Sequence, residues 1–200
     1  MKKLITAILA FAALGLLAET PSARIDIWGN NPNEKVGFKD YRVDVGKGVV
    51  DIYAWDKENG KYALYSLLEL PPDTWTQVGF TFTPVVDGTI TVLLMGVDKQ
   101  AEDKKGPVPV FTFYDSIELT GAEIKNGNFE ELDEKGNPKQ WLKSASANPA
   151  TDAILVKEPK FVKNGSNSVR VWCQQPFSQI VKVKANVPVL LRVWAYCPSK

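Results

Sequence analysis

The chain has 200 residues, with 24 basic and 23 acidic side chains, two cysteines and no histidine. The missing imidazole excludes Ser-His-Asp and Cys-His nucleophiles and histidine-ligated metals, and the balanced charge offers no basic footprint for nucleic acid. Six Trp, six Tyr, nine Phe, 14 Gly and 13 Pro fit a turn-rich β protein better than a helical bundle.

Met1, Lys2 and Lys3 make a basic start, and residues 4–17 are an almost unbroken apolar run of the length expected for a secretory h-region. This pattern predicts a signal helix over residues 1–18, cleaved after Ala18, with an uncleaved anchor as the other reading; the run is short for a membrane span. Cleavage removes Lys2 and Lys3 and leaves 22 basic against 23 acidic residues in a mature chain of residues 19–200. No later segment is long and apolar enough to cross a membrane, so the expected location is secreted, periplasmic or at the cell surface.

From there the hydrophobic period is two, the signature of half-buried strands. Strands are predicted over 24–28, 49–55, 62–70, 75–82, 89–97 and 111–119. Further on they fall over 125–130, 153–157, 168–173, 178–183 and 188–197. Asp87-Gly88 supplies hairpin chemistry between two of them, and Pro71-Pro72-Asp73, Gly136-Asn137-Pro138 and Asn164-Gly165 supply other turns. Residues 98–109 read as an exposed polar loop. Eleven short strands between turn signals predict an all-β sandwich or jelly roll.

With the small apolar residues turned inward, the opposite positions share a chemistry: Arg24, Asp26 and Trp28; Asp51, Tyr53 and Trp55; Arg170 and Trp172; Arg192, Trp194 and Tyr196. Aromatic rings stack on the apolar face of a pyranose while Arg and Asp forks bind its hydroxyls. One sheet face carrying these residues would bind a glycan; rings packed under loops are the other reading. Cys173 and Cys197 each continue an inward alternation, which allows either a disulfide or two buried thiols. Acidic pairs such as Glu130-Glu131 and Glu102-Asp103 fall in turns or loops and read as solvated charge, so no catalysis is expected.

Asn126-Gly127-Asn128-Phe129-Glu130 resembles the opening strand of carbohydrate-binding modules of the family 4/9 type, which have a galactose-binding-like jelly-roll fold. Gly136-Asn137-Pro138 before Trp141, then residues 164–171, 179–183 and 189–195, are similar to the rest of that family's first half. Its second half, ending in an aromatic-Asp-x-Ile strand, is matched upstream by 75–82, 89–96 and 113–119. The resemblance therefore implies a circularly permuted domain over 19–200, with 24–122 standing for the second half and 123–200 for the first. A truncated tandem and a swapped oligomer are the alternatives. It also implies core positions for Trp75 and Trp141, a sheet-face glycan cleft, and a structural calcium held by Asp115 and Glu130 with Asn128 and Asn164. The expected function is a secreted, non-catalytic module that binds polysaccharide; a cell-surface structural or adhesion sandwich is the alternative.

Overall fold

In a computed structural model the chain is described over residues 22–31, 34–53, 62–100, 107–143 and 149–199. The expected signal helix over 1–18 and Trp55 lie outside these residues. No helix among the described residues is long and apolar enough to cross a membrane.

Strand β1 (Ser22–Trp28) is followed by a small ribbon, β2 (Asn30–Asn31) and β3 (Glu34–Lys35). Next come β4 (Phe38–Val45), β5 (Lys47–Tyr53), β6 (Ala63–Glu69), β7 (Thr76–Pro84) and β8 (Gly88–Met95). A second ribbon, β9 (Asp98–Gln100) and β10 (Pro107–Pro109), precedes β11 (Thr112–Thr120) and β12 (Leu142–Lys143). The chain closes with β13 (Ile154–Val156), β14 (Ser168–Val171), β15 (Phe177–Val183) and β16 (Val189–Tyr196).

Twelve of these strands build two antiparallel six-stranded sheets. Sheet I has the order β12-β15-β8-β1-β6-β5, and sheet II the order β13-β14-β11-β16-β7-β4. Their facing sides form one apolar core. Ile25, Ile27, Leu64, Val92, Leu94 and Phe177 of sheet I meet Val78, Phe80, Tyr114, Val171, Leu191 and Val193 of sheet II. Alternation along each strand produces this arrangement, because successive side chains leave opposite faces of the pleat. The architecture is thus the expected all-β sandwich.

Segments distant in sequence interleave in both sheets. β15 pairs with β8, and β16 runs between β11 and β7. The strands after residue 123 therefore complete sheets begun by the strands before it, within one chain.

Four expectations change. β4 was absent from the predicted strands, although Tyr41, Val43 and Val45 alternate with Arg42 and Asp44. The ends of the 98–109 loop pair as the β9–β10 ribbon. Residues 125–130 form turns, because Asn126 and Phe129 have φ of 49° and 59°, which an extended strand does not allow. The Asn126 side chain instead ties the turn together. Its amide donates to the carbonyls of Glu131 and Lys139, both at 2.9 Å, and its oxygen accepts from the Glu131 amide at 3.0 Å. Gly127 is needed here for close approach: a Cβ would strike the Ile117 carbonyl oxygen.

The fourth change is Asp115, expected on the same side as Ile117 and Leu119. A bulge between Asp115 and Glu118, with Ser116 at φ 51°, inserts an extra residue. Tyr114 and Ile117 consequently both enter the core, while Phe113 and Asp115 face outward.

Candidate functional site

The outer face of sheet I is built around β1. Ala23, Ile25 and Ile27 point into the core, which leaves Arg24, Asp26 and Trp28 on the other side. Arg24 and Asp26 are two residues apart, so they stand on one face about 6–7 Å apart along the strand. The guanidinium spans this gap with two hydrogen bonds to the carboxylate: Nε to Oδ1 at 3.1 Å and Nη2 to Oδ2 at 2.9 Å. The fork is also held from the side, with Cζ 4.8 Å from the centroid of the Tyr65 ring. Asp26 is fully buried although it belongs to an outer face.

Register fixes the surroundings. Asp26 lies between Tyr65 and Leu93, and Trp28 between Ala63 and Thr91. Across β6, Asp51 pairs with Tyr65 and Tyr53 with Ala63, so the backbone of Tyr53 lies in the row of Trp28 with a small residue between them. Trp28 and Tyr65 are half-buried and Asp51 is exposed. The face thus offers two partly exposed rings beside an Arg–Asp pair whose fork is already oriented. Tyr65 was missed in the sequence because both sides of β6 are apolar: Tyr65 and Leu67 alternate with Leu64 and Leu68.

Arg170, Arg192, Trp194 and Tyr196 lie on the opposite side of the sandwich, on the outer face of sheet II, and Trp172 follows the end of β14. The single aromatic and arginine face expected from the sequence is therefore two faces. Arg192 is exposed beside Glu118. Trp194 is half-buried, with the Lys163 ammonium 4.1 Å from its ring centroid. Tyr196 is 3% exposed; its hydroxyl donates to Asp73 Oδ1 at 3.0 Å. It is closed in by Phe113, Phe161 and Trp75. Phe161, in a 3-10 turn over Pro159–Phe161, stacks on Phe113 at 4.2 Å. Here the reading of rings packed beneath a loop holds. Trp75 packs on this outer side, whereas Trp141 is in the core as expected. Arg170 lies 4.2 Å over the Phe111 ring, and Trp172 is buried.

The same loop latches onto two carboxylates. Asp115 Oδ2 accepts from the amides of Lys163 and Asn164 at 2.9 and 2.8 Å, and Oδ1 accepts from the Ser116 hydroxyl at 3.2 Å. Glu130 Oε1 accepts from the amides of Ser166 and Asn167 at 2.7 and 3.0 Å, and Oε2 from the Asn167 side chain at 2.8 Å. Asn128 Oδ1 accepts from the Glu130 amide, and the Asn164 side chain donates to Ser116. Calcium requires six to eight oxygens turned toward it. Here N–H donors occupy the carboxylates, so the arrangement does not fit a cation held by Asp115, Glu130, Asn128 and Asn164.

Burial pushes the Asp115 carboxyl above its ordinary 3.8, against the pull of the Asn164 and Lys163 amides. The folded state then binds this proton more tightly than the unfolded chain, so the contribution costs stability as pH rises from about 4 through the raised value. Asp115→Asn keeps an oxygen for the two amides and removes the titration. The stability of Asp115→Asn relative to the parent is expected to increase between about pH 4 and neutrality in urea melts. A difference that stays flat with pH would refute this role of burial.

Cys173 and Cys197 are both buried and are not joined by the disulfide that the alternation allowed. Burial pushes the Cys197 thiol up to about 11, which keeps it protonated and unreactive at neutral pH. No protein-family model, curated protein or solved structure matches the chain.

Proposed function

We propose that this chain is a secreted, non-catalytic carbohydrate-binding module, a permuted jelly roll of residues 19–200 that takes glycan on the outer face of sheet I. The oriented Arg24 fork, held by Asp26 and Tyr65 beside Trp28, carries this reading. A guanidinium whose geometry is fixed beforehand loses little entropy on binding hydroxyls, and the half-exposed rings supply stacking area. The interleaving of early and late strands supports the permuted arrangement over a truncated tandem.

Affinity electrophoresis against soluble polysaccharides tests the reading. At least one polysaccharide should retard the protein, and Trp28→Ala or Tyr65→Ala should weaken that binding about tenfold or more. Trp194→Ala, on the opposite sheet, should leave it nearly unchanged. Failure of every polysaccharide, or indifference to both sheet I substitutions, would sink the proposal.

The second reading is a cell-surface structural or adhesion sandwich. It is favoured by exposed apolar side chains on sheet I: Val49 at 63%, Leu142 at 63% and Ile180 at 59%. Concentration-dependent light scattering without glycan binding would select it.

A further inference from the structure

An outer strand of a sheet that is long and regular invites pairing with another chain. The two main sheets end on β12, β5, β13 and β4. β12 has two residues and β13 three. β4 is longer, but its register with β7 shifts twice and Asp40 has φ 52°. Lys39, Asp40, Arg42 and Asp44 are also exposed along it. β5 is neither short nor bulged. It keeps one register with β6 over all seven residues, and among the described residues no strand lies on its other side.

The ladder shows which backbone groups of β5 face outward. The Gly29 amide donates to the Tyr62 carbonyl at 2.7 Å, so Leu64, Ser66 and Leu68 bond toward β1, while Ala63, Tyr65, Leu67 and Glu69 bond toward β5. Their partners Lys47, Val49 and Asp51 therefore direct their backbone bonds to β6, and Gly48, Val50 and Ile52 point theirs away from it. The Ile52 amide accordingly donates to a side chain, Asp51 Oδ1 at 2.7 Å. Val50 and Ile52 pack on the core, which leaves Lys47, Val49 and Asp51 exposed on the outer face, Val49 at 63%.

This edge is complementary to itself. When two copies meet antiparallel about a two-fold axis at Val49, Gly48 of each copy faces Val50 of the other. Both residues carry outward backbone groups, so each pair exchanges its N–H and C=O bonds. In the same register Lys47 of each copy stands opposite Asp51 of the other, and the two Val49 side chains cover one another. We propose that β5 is a homodimer interface, at which a second copy of this chain continues sheet I across a two-fold axis. The assembly closes at two copies, because each copy has one such edge. The pairing does not rest on the carbohydrate reading. If sheet I takes glycan, the dimer presents two such faces on one continuous sheet.

Sedimentation velocity across a concentration series tests the pairing. A single edge strand is a small interface, so a reversible monomer–dimer equilibrium with a Kd of about 1–100 μM is expected. Val49→Lys places like charges at the axis, and Asp51→Lys sets Lys47 against a second ammonium; each should weaken the dimer about tenfold or more. Both side chains are exposed, so the fold should persist. Lys47→Asp combined with Asp51→Lys should restore association to within about threefold of the parent. Without any variant, the Gly48 and Val50 amides should gain more hydrogen-exchange protection with rising concentration than the Val49 amide, which is already bonded to β6. A protein that stays monomeric to about 1 mM overturns the proposal. So does an assembly that grows beyond two copies, or a dimer indifferent to Val49→Lys and Asp51→Lys. Glycan binding by a strictly monomeric protein rejects the pairing and keeps the proposed function. A β5 dimer that meets no polysaccharide does the reverse.

Discussion

Replacing Tyr114 by Phe should lower the unfolding free energy by about 3 kcal/mol, although only one oxygen is lost. Tyr114 projects from sheet II through the core and is fully buried. Its hydroxyl reaches the backbone of sheet I, accepting from the Arg24 amide at 3.0 Å and donating to the Met95 carbonyl at 2.8 Å, with the Arg24 carbonyl at 3.0 Å. Removing it strands a buried donor and a buried acceptor in the core. Burial also holds the phenol well above its ordinary 10.0, so the hydroxyl stays protonated and able to donate. For a domain of this size the loss corresponds to a fall in Tm of roughly 10 °C. The bond at Arg24 also ties the core to the candidate site, so, on the proposed carbohydrate-binding function, the variant should bind glycan more weakly under conditions where it remains folded. A Tm within about 2 °C of the parent would show that the two sheets do not depend on this bridge.

Phe129→Ala should cost about 3–5 kcal/mol, measured by urea denaturation. The Phe129 ring is fully buried and packs at 5.2 Å on Trp141. The backbone around it is fixed independently: the Asn126 side chain holds three bonds, and the Trp141 indole donates to the Asn126 carbonyl at 3.0 Å. A turn clamped in this way cannot collapse to fill the space, so both the transfer and the cavity contributions are felt. A loss below about 1 kcal/mol would mean that the turn relaxes and is not the rigid element described.

These two residues show how much a linear reading recovers. Phe129 stands in the segment that drew attention in the sequence, and its burial agrees with an apolar residue in a polar stretch. The strand assigned there is a turn, because left-handed backbone at Asn126 and Phe129 carries no hydrophobic period. Tyr114 follows the alternation of β11, but its partners are 90 and 19 residues away, and no local pattern announces them. The bulge at Ser116 is similar: one inserted residue reverses the side of Asp115, and only pairing with β16 reveals it.

The candidate site divides along the same line. Alternation correctly put Arg24, Asp26 and Trp28 opposite Ile25 and Ile27, and Arg192 and Trp194 opposite Val193. It could not tell that the first group faces away from one sheet and the second away from the other. Nor could it show that Phe161 closes over Phe113 and Tyr196, turning apparent binding rings into packing. Tyr65 was hidden because both sides of β6 are apolar.

The sequence by itself determined that this protein is made of strands and which side of most strands is apolar, because the pleat forces neighbouring side chains to opposite faces. Only the tertiary structure decided which strands share a sheet. Pairing joins β15 to β8 and β16 to both β11 and β7 across long stretches of chain. A backbone ladder of this kind forms between any two extended segments whose apolar sides can face one core, so the partner is chosen by packing and not by local sequence.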